Sequence, residues 1–376
     1  MRRTATTFAL AALVGAACTS TGTGTTPSGP VTVVMDTGGK TAFASFALAY
    51  FPRDVKVHAG DSVLFENAYT GEPHSVTLGT LVQGLLDASD TLDENDPAPP
   101  EDAKLPPLLP SGPGDAPQAA ANPCYLAEGE PPTEEPCEPG QATQVPFDGT
   151  QAYYNSGFLA AGQDFEVELA DDIVPGAYRY FCLLHRQGMQ GSITVVDDAT
   201  EVPTADDVEA EAEAAIDEFE SRLEPAVAEA EDAPPGVVWA GFGSEDAPEG
   251  AIAEFLPGTV EVAAGDTVTF NFVGPHTVSF NPPAEATGAL TQAPDGTWHA
   301  NEAAFTPSPP GPPPGEVAEA TTVTAAFGGG DEYVSSGIAI SFPPELFSYE
   351  VTFTEPGTYT YVCLIHPAMA GTVTVA

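Results

Sequence analysis

Pro175-Gly-Ala-Tyr-Arg-Tyr-Phe-Cys182 and Pro356-Gly-Thr-Tyr-Thr-Tyr-Val-Cys363 are the two stretches that decide the fold. Pro-Gly turns the chain, and alternating Tyr residues then place one face of the next strand in a core. The same plan occurs twice, so the chain divides into two related halves. Working outward, Phe51-Pro-Arg-Asp-Val-Lys-Val-His-Ala-Gly-Asp-Ser-Val-Leu-Phe65 matches Leu256-Pro-Gly-Thr-Val-Glu-Val-Ala-Ala-Gly-Asp-Thr-Val-Thr-Phe270. Both alternate apolar and polar residues as half-buried strands do, and both break at Ala-Gly-Asp, a hairpin signal. Downstream of each Cys, a Met-x-Gly leads into a last strand, Ser192 to Val196 and Thr372 to Val375. Strands at this spacing predict an all-β chain of two tandem antiparallel β-sandwiches.

The predicted organisation is a first sandwich over 31–197 and a second over 236–376, with an acidic helical linker over 198–235. In the linker, Thr204 and Asp207 make a capping-box start, and Val208, Ala212, Ala215, Phe219 and Leu223 recur at helical spacing. Pro225 is expected to end or kink this helix. Its apolar stripe suits either a docking helix or a connector packed on a neighbouring domain. Each half also carries an insertion, 81–150 and 282–330. The first is rich in Pro, Asp and Glu, and the second contains Pro307-Ser-Pro-Pro-Gly-Pro-Pro-Pro314. That composition predicts irregular loops rather than added core.

Residues 1–18 read as an export signal. Arg2 and Arg3 precede an apolar stretch from Phe8 to Ala17, which is shorter than the ~20 residues a bilayer span takes. Leu13-Val-Gly-Ala-Ala-Cys18 resembles a bacterial lipoprotein signal with Cys18 as the lipidated residue, and 19–30 would be a flexible tether. Ordinary cleavage and secretion is the alternative. Cys124 and Cys137 lie in the acidic insertion, where an exported protein would oxidise them to a disulfide. Metal binding by this pair is the other reading, although no His is near.

With 9 Lys and Arg against 55 Asp and Glu, the formal charge is −46. Phosphates need cations to neutralise them, so nucleic-acid binding is excluded as a reading. An anionic membrane surface would also repel the chain, leaving the lipid anchor as the one route to a membrane. The acidity serves solubility, or steers the protein toward a basic partner.

The rare residues concentrate in the loops after the two Tyr-rich strands. Cys182, His185 and Met189 share one loop, and Cys363, His366 and Met369 share the other; His74 and His276 each follow a proline upstream. Two His, one Cys and a weak Met form the ligand set of a mononuclear blue-copper centre. The chain has four Met, one of which starts it, and two of the remaining three stand in these loops.

Through Phe65-Glu-Asn, Pro-His74-Ser-Val, Phe270, Pro-His276-Thr-Val, Tyr-x-Tyr-x-Cys-x-x-His and Met-x-Gly, both halves resemble the cupredoxins, such as plastocyanin, amicyanin, pseudoazurin and azurin. The resemblance omits the leader, the linker and the insertions. It implies a Greek-key β-sandwich in each half and one-electron transfer as the activity. It implies two coppers per chain, one held by His74, Cys182, His185 and Met189, the other by His276, Cys363, His366 and Met369. It also implies that the loop histidines, His185 and His366, stand at the exposed edge as electron gates. The second loop has the amicyanin-like spacing Cys-x₂-His-x₂-Met, whereas the first has Cys-x₂-His-x₃-Met, which matches none of those members.

These residues predict an exported electron carrier with two type 1 copper centres and a redox partner protein. Copper delivery in the cell envelope is the alternative, although such proteins favour flexible Met- or His-rich tracts. An oxidoreductase is a third class. Multicopper oxidases and copper nitrite reductases use His-x-His or a His directly before the copper Cys. Here Phe181 and Val362 hold that place and no His-x-His occurs. His58 and His299 lie outside the pattern, with His58 expected at the surface.

Overall fold

The computed structural model describes residues 29–37, 43–68, 71–90, 122–127, 145–284, 286, 288, 290–292, 298–307, 322–341, 343–366 and 368–376. The leader with Cys18, as well as Cys137 and Pro367, lie outside the described residues.

The first half holds β1 (Val31–Met35), β2 (Ser45–Ala47), β3 (Tyr50–Phe51), β4 (Asp54–His58), β5 (Ser62–Asn67) and β6 (Thr77–Leu78). Helix α1 (Thr80–Ser89) follows, then β7 (Cys124–Leu126), β8 (Tyr153–Asn155), β9 (Asp164–Glu168), β10 (Gly176–Cys182) and β11 (Arg186–Val196). Helix α2 (Ala205–Glu231) leads into the second half with β12 (Val237–Gly243), β13 (Gly250–Leu256), β14 (Thr259–Val262), β15 (Thr267–Phe272), β16 (Gly274–His276) and β17 (Ser279–Phe280). Then come β18 (Leu290–Gln292), β19 (Trp298–Ala300), α3 (Glu302–Phe305), β20 (Thr322–Phe327), β21 (Val334–Ser335) and β22 (Ala339–Ser341). The chain ends with β23 (Ser348–Phe353), β24 (Gly357–Val362) and β25 (Ala370–Val375).

Each half is a two-sheet sandwich. In the first, β3-β1-β5-β9 faces β4-β11-β10-β6-β8-β7; in the second, β13-β12-β15-β23-β20 faces β14-β25-β24-β17-β21. Most neighbours run antiparallel, but β1–β5 and β4–β11, like β12–β15 and β14–β25, are parallel, as is β20–β23 in the second half. The predicted alternation sets the cores: Val63 and Phe65 of β5 and Val268 and Phe270 of β15 are fully buried. Tyr180 packs edge-on to Phe65, and Tyr361 packs edge-on to Phe270, with centroids 5.0 Å apart in both cases.

The Ala-Gly-Asp turns are not hairpins. Ala59-Gly60-Asp61 carries the chain from β4 in one sheet to β5 in the other, and Ala264-Gly265-Asp266 does the same between β14 and β15. Gly60 and Gly265 have φ of +80° and +94°, and the carboxylates of Asp61 and Asp266 accept the backbone N–H of His58 and Ala263. A hairpin and an arch share this local chemistry. The choice falls to the distant partners, because β4 pairs with β11 while β5 pairs with β1 and β9.

Helix α2 starts on the expected capping box: the Thr204 hydroxyl accepts the Asp207 N–H, and the Asp207 carboxylate accepts the Thr204 N–H. Its buried stripe is Val208, Ala212, Ile216, Phe219, Leu223, Ala226 and Ala230, with Ala215 only half-buried. The helix does not stop at Pro225. Proline removes one helical hydrogen bond, but Leu223, Ala226 and Ala230 are anchored in a common core on both sides of it. This stripe packs against β1 and β3 of the first half and β12 and β13 of the second, which is the connector reading.

The halves also exchange elements. Strand β2 of the first half extends the second half's sheet by pairing with β13, through Ala253 N–H to Ala44 O at 2.9 Å and Leu48 N–H to Glu249 O at 2.7 Å. The insertions are not all loop either. Val82, Leu85 and Leu86 of α1 and Cys124 of β7 share a buried cluster with Phe158, Phe181 and Leu183 and with Leu290 and Trp298 of the β18–β19 hairpin. Pro-rich composition masked these short apolar runs. Trp298 meets Phe158 edge-on at 5.9 Å, so the second insertion packs on the first sandwich.

Candidate metal centres

Each centre is assembled from two distant points of the sandwich. His74 is held by a two-way backbone bridge with Leu159, and His276 by the pairing of β16 with β22. Cys182 closes β10 and Cys363 follows β24, so both thiols arrive at the end of a core strand. The ligand atoms of His74, Cys182 and His185 lie within 4.8 Å of one another, as do those of His276, Cys363 and His366. In the first centre, the Cys182 Sγ is 3.9 Å from the His74 Nδ1. In the second, the Cys363 Sγ is 3.9 Å from the His276 Nδ1 and 3.6 Å from the His366 Nδ1, and the two nitrogens are 3.0 Å apart. Imidazole nitrogen and thiolate sulfur bind a first-row ion such as zinc at about 2.0–2.3 Å, so at a trigonal angle two such atoms stand about 3.5 Å apart. Both donor sets therefore have the spacing to share one ion. Among the described residues, the buried Nδ1 of His185 has no hydrogen-bond partner, which suits a ligand position.

The residue after each upstream His braces the loop. The Ser75 N–H points to the Cys182 Sγ at 3.4 Å, and the Ser75 hydroxyl accepts the Leu183 N–H at 2.8 Å. Thr277 repeats both contacts with Cys363 and Leu364, at 3.4 and 2.7 Å. A second duplicated brace was not anticipated from the sequence: Ser156 and Ser336 accept the N–H of Val76 and Val278. Its signal was the Ser-Gly pair that stands before the Tyr-rich strand in both halves.

Met189 and Met369 are buried in the same cores as Cys182 and Cys363. The Met369 N–H reaches the His366 O, and the Cys363 N–H reaches the Met369 O, both at 2.9 Å. In the longer first loop, the Gly188 N–H instead returns to the His185 O at 3.0 Å. The Met-x-Gly glycines have a packing reason. A Cβ on Gly191 would meet the Tyr180 hydroxyl at 2.5 Å, and one on Gly371 would meet the Tyr361 ring at 2.4 Å.

Burial by itself raises a thiol's pKa, but the neighbouring imidazoles prevail and hold both Cys182 and Cys363 well below the ordinary range. The thiolate is the metal-binding form. In the first centre, burial works against the imidazolium forms, yet the carboxylates and thiolate nearby push His74 up to about 9 and His185 up to about 10. His276 moves the other way, lowered chiefly by burial.

That contrast has a visible origin. The His74 Nε2 meets the Asp36 Oδ2 at 3.2 Å, and the His185 Nε2 meets the Glu72 Oε2 at 3.2 Å. Despite its burial, Glu72 is lowered to about 2, mainly by His185. The His276 Nε2 meets a backbone carbonyl instead, that of Val273, at 3.0 Å. Asp36 and Glu72 were not foreseen, and neither was Phe46. The Phe46 ring lies flat on His366, with centroids 5.4 Å apart and planes 11° apart. His366 is consequently 1% exposed, so it is not the solvent-facing gate that the family resemblance implied. The side chain of His185 is 15% exposed. It borders an apolar cleft of about 360 Å³ that also touches Phe46, Pro275 and Ile365, so the two metal loops face each other across it.

His58 bonds the Thr200 carbonyl at 2.9 Å and is only partly exposed. His299 is half-buried on β19, outside both metal clusters. Cys124 is buried and disulfide-bonded.

Residues 37–196 match the family model of copper-binding proteins of the plastocyanin/azurin family. Reduced auracyanin from the photosynthetic bacterium Roseiflexus castenholzii is 17% identical, covering 46% of this chain and 100% of its own, with a TM-score of 0.25. A purple cupredoxin from Nitrosopumilus maritimus is 17% identical over 44% of this chain and 99% of its own, with a TM-score of 0.20. The Cu(I) form of an amicyanin variant is 21% identical over 40% and 90%, also at 0.20. No curated protein matches. The first sandwich carries the sequence signature of this copper-binding family.

Proposed function

We propose that the protein is an exported one-electron carrier with two type 1 copper centres, one per sandwich. The observation that carries this reading is the duplicated cluster of two imidazoles and one thiolate, braced in the same way in both halves. In this reading His74, Cys182 and His185, with Met189 as the axial group, would hold one copper. His276, Cys363 and His366, with Met369, would hold the other. Bound copper would supply a reversible one-electron couple. The chain's own residues lock the cage, because braced ligands keep one geometry across both oxidation states. Backbone N–H groups directed at each sulfur steady the thiolate, and buried cores keep water away from it.

Burial of every one of these donors except His185 also supports carriage over delivery, since a handover site must open. The lack of His-x-His and of a His before either Cys supports a carrier over an oxidase. Export fits the leader, with Cys18 as a lipid anchor and Cys124–Cys137 as the disulfide. Among the described residues, no helix is long and apolar enough to cross a membrane. The acidity suits a basic redox partner.

The test is metal analysis with visible absorption on wild type, Cys182→Ser and Cys363→Ser. The expected result is two coppers and intense blue absorption in wild type, and one copper with reduced absorption in each variant. Colourless, redox-silent, copper-loaded protein refutes the reading.

A further inference from the structure

The two centres differ at two equivalent positions. Strand register aligns Val33, opposite Phe65, with Val238, opposite Phe270. Asp36 therefore corresponds to Gly241, and both have positive φ, 63° and 74°. Glu72-Pro-His74 corresponds to Gly274-Pro-His276, so Glu72 also has a glycine counterpart. A Cβ on Gly241 would come within 2.1 Å of the His276 Nε2, and one on Gly274 would come within 3.5 Å of the Phe46 ring. Where the first centre places two buried carboxylates on its imidazoles, the second has two glycines, a carbonyl and a phenyl ring.

We infer that the centres form an ordered redox pair: Asp36 and Glu72 hold the first at the lower potential, so a single electron shared between them resides at the second. This rests on the copper reading proposed above. A carboxylate on the remote nitrogen of a ligating imidazole makes that ligand more basic. Its charge, in a low-dielectric site, favours the more positive oxidation state. The apolar cover of Phe46 favours the less positive state at the second centre. Both carboxylates also act on His366 through space, but they bond only the first centre's imidazoles. Electron balance is simple: the electron lost at the first centre is gained at the second, with no proton or external reagent involved.

Asp36 also links the two centres physically. Its Oδ2 meets His74, and its Oδ1 accepts the Ala47 N–H at 2.5 Å. Ala47 adjoins Phe46, whose ring lies on His366. Asp36 and Glu72 are thus positioning residues that act through the imidazoles.

The test is a spectroelectrochemical titration of the copper-loaded protein in wild type, Cys363→Ser (first centre alone) and Cys182→Ser (second centre alone). The first centre is expected to titrate at the lower potential, with at least a tenfold difference in the oxidised-to-reduced ratio, which is 59 mV for one electron. Glu72→Gln and Asp36→Asn should each raise the potential of the first centre and move the second less. Asn tolerates the positive φ at position 36, so the fold is kept. Wild type should show two resolved one-electron steps. Two blue centres at equal potential, or a first centre that ignores both substitutions, overturn this inference while leaving the copper reading intact. Absence of copper-dependent colour overturns both.

Discussion

Phe46→Ala is the perturbation that most sharply probes how the two halves depend on each other. Phe46 is 4% exposed, sits on a strand donated to the partner sheet, and covers His366. Truncating a buried Phe costs about 3–5 kcal/mol, the low end applying where the site can relax. Here the ring borders the apolar cleft, so neighbours or water can fill part of the void, and about 3 kcal/mol is expected. Phe46→Leu keeps most of the apolar volume and loses the ring stack, for about 0.5–1.5 kcal/mol. Denaturant unfolding of the metal-free protein measures both values. A second readout is the rate at which a copper(I) chelator strips the second centre, which should rise in Phe46→Ala and leave the first centre largely unchanged. A Phe46→Ala protein within 0.5 kcal/mol of wild type, the scatter of ordinary surface substitutions, with unaltered stripping at both centres would refute the reasoning.

Gly371→Ala should lose about 1–3 kcal/mol through overpacking against Tyr361, measured by thermal unfolding. Ser75→Ala leaves the buried Leu183 N–H unsatisfied and should cost about 1–3 kcal/mol, with broadened absorption from the first centre alone. His74 and His185 are raised in the metal-free fold, so their contribution to stability is complete below the ordinary imidazole value of 6.5. It is lost as pH rises through about 9 to 10. Unfolding of the metal-free protein from neutral to alkaline pH should show that decline. Copper uptake by Cys363→Ser at pH 7 should release protons, and a pH-stat will detect them.

The two His/Cys/His clusters were readable in the sequence because a thiolate–imidazole site needs rare residues at short range. Cys182 with His185, and Cys363 with His366, sit on single loops, and the strand alternation around them follows from burying one face. What escaped sequence reading was long-range. The Ala-Gly-Asp turns look like hairpins until β11 and β1 are in place as competing partners. Pro225 looks like a stop until the packing on both sides of it is known. Ser45-Phe46-Ala47 is too short to signal a strand that joins another sandwich. Glu72 could have been found by setting Glu72-Pro-His74 against Gly274-Pro-His276. Asp36 could not, because its equivalence to Gly241 depends on strand register rather than on local similarity.

X-ray absorption at the copper edge, on Cys182→Ser and Cys363→Ser separately, tests the central claim most directly. Each variant should retain a copper bound by one sulfur at short distance and two imidazole nitrogens. A copper bound only by oxygen and nitrogen in either variant would contradict the account for that half of the chain.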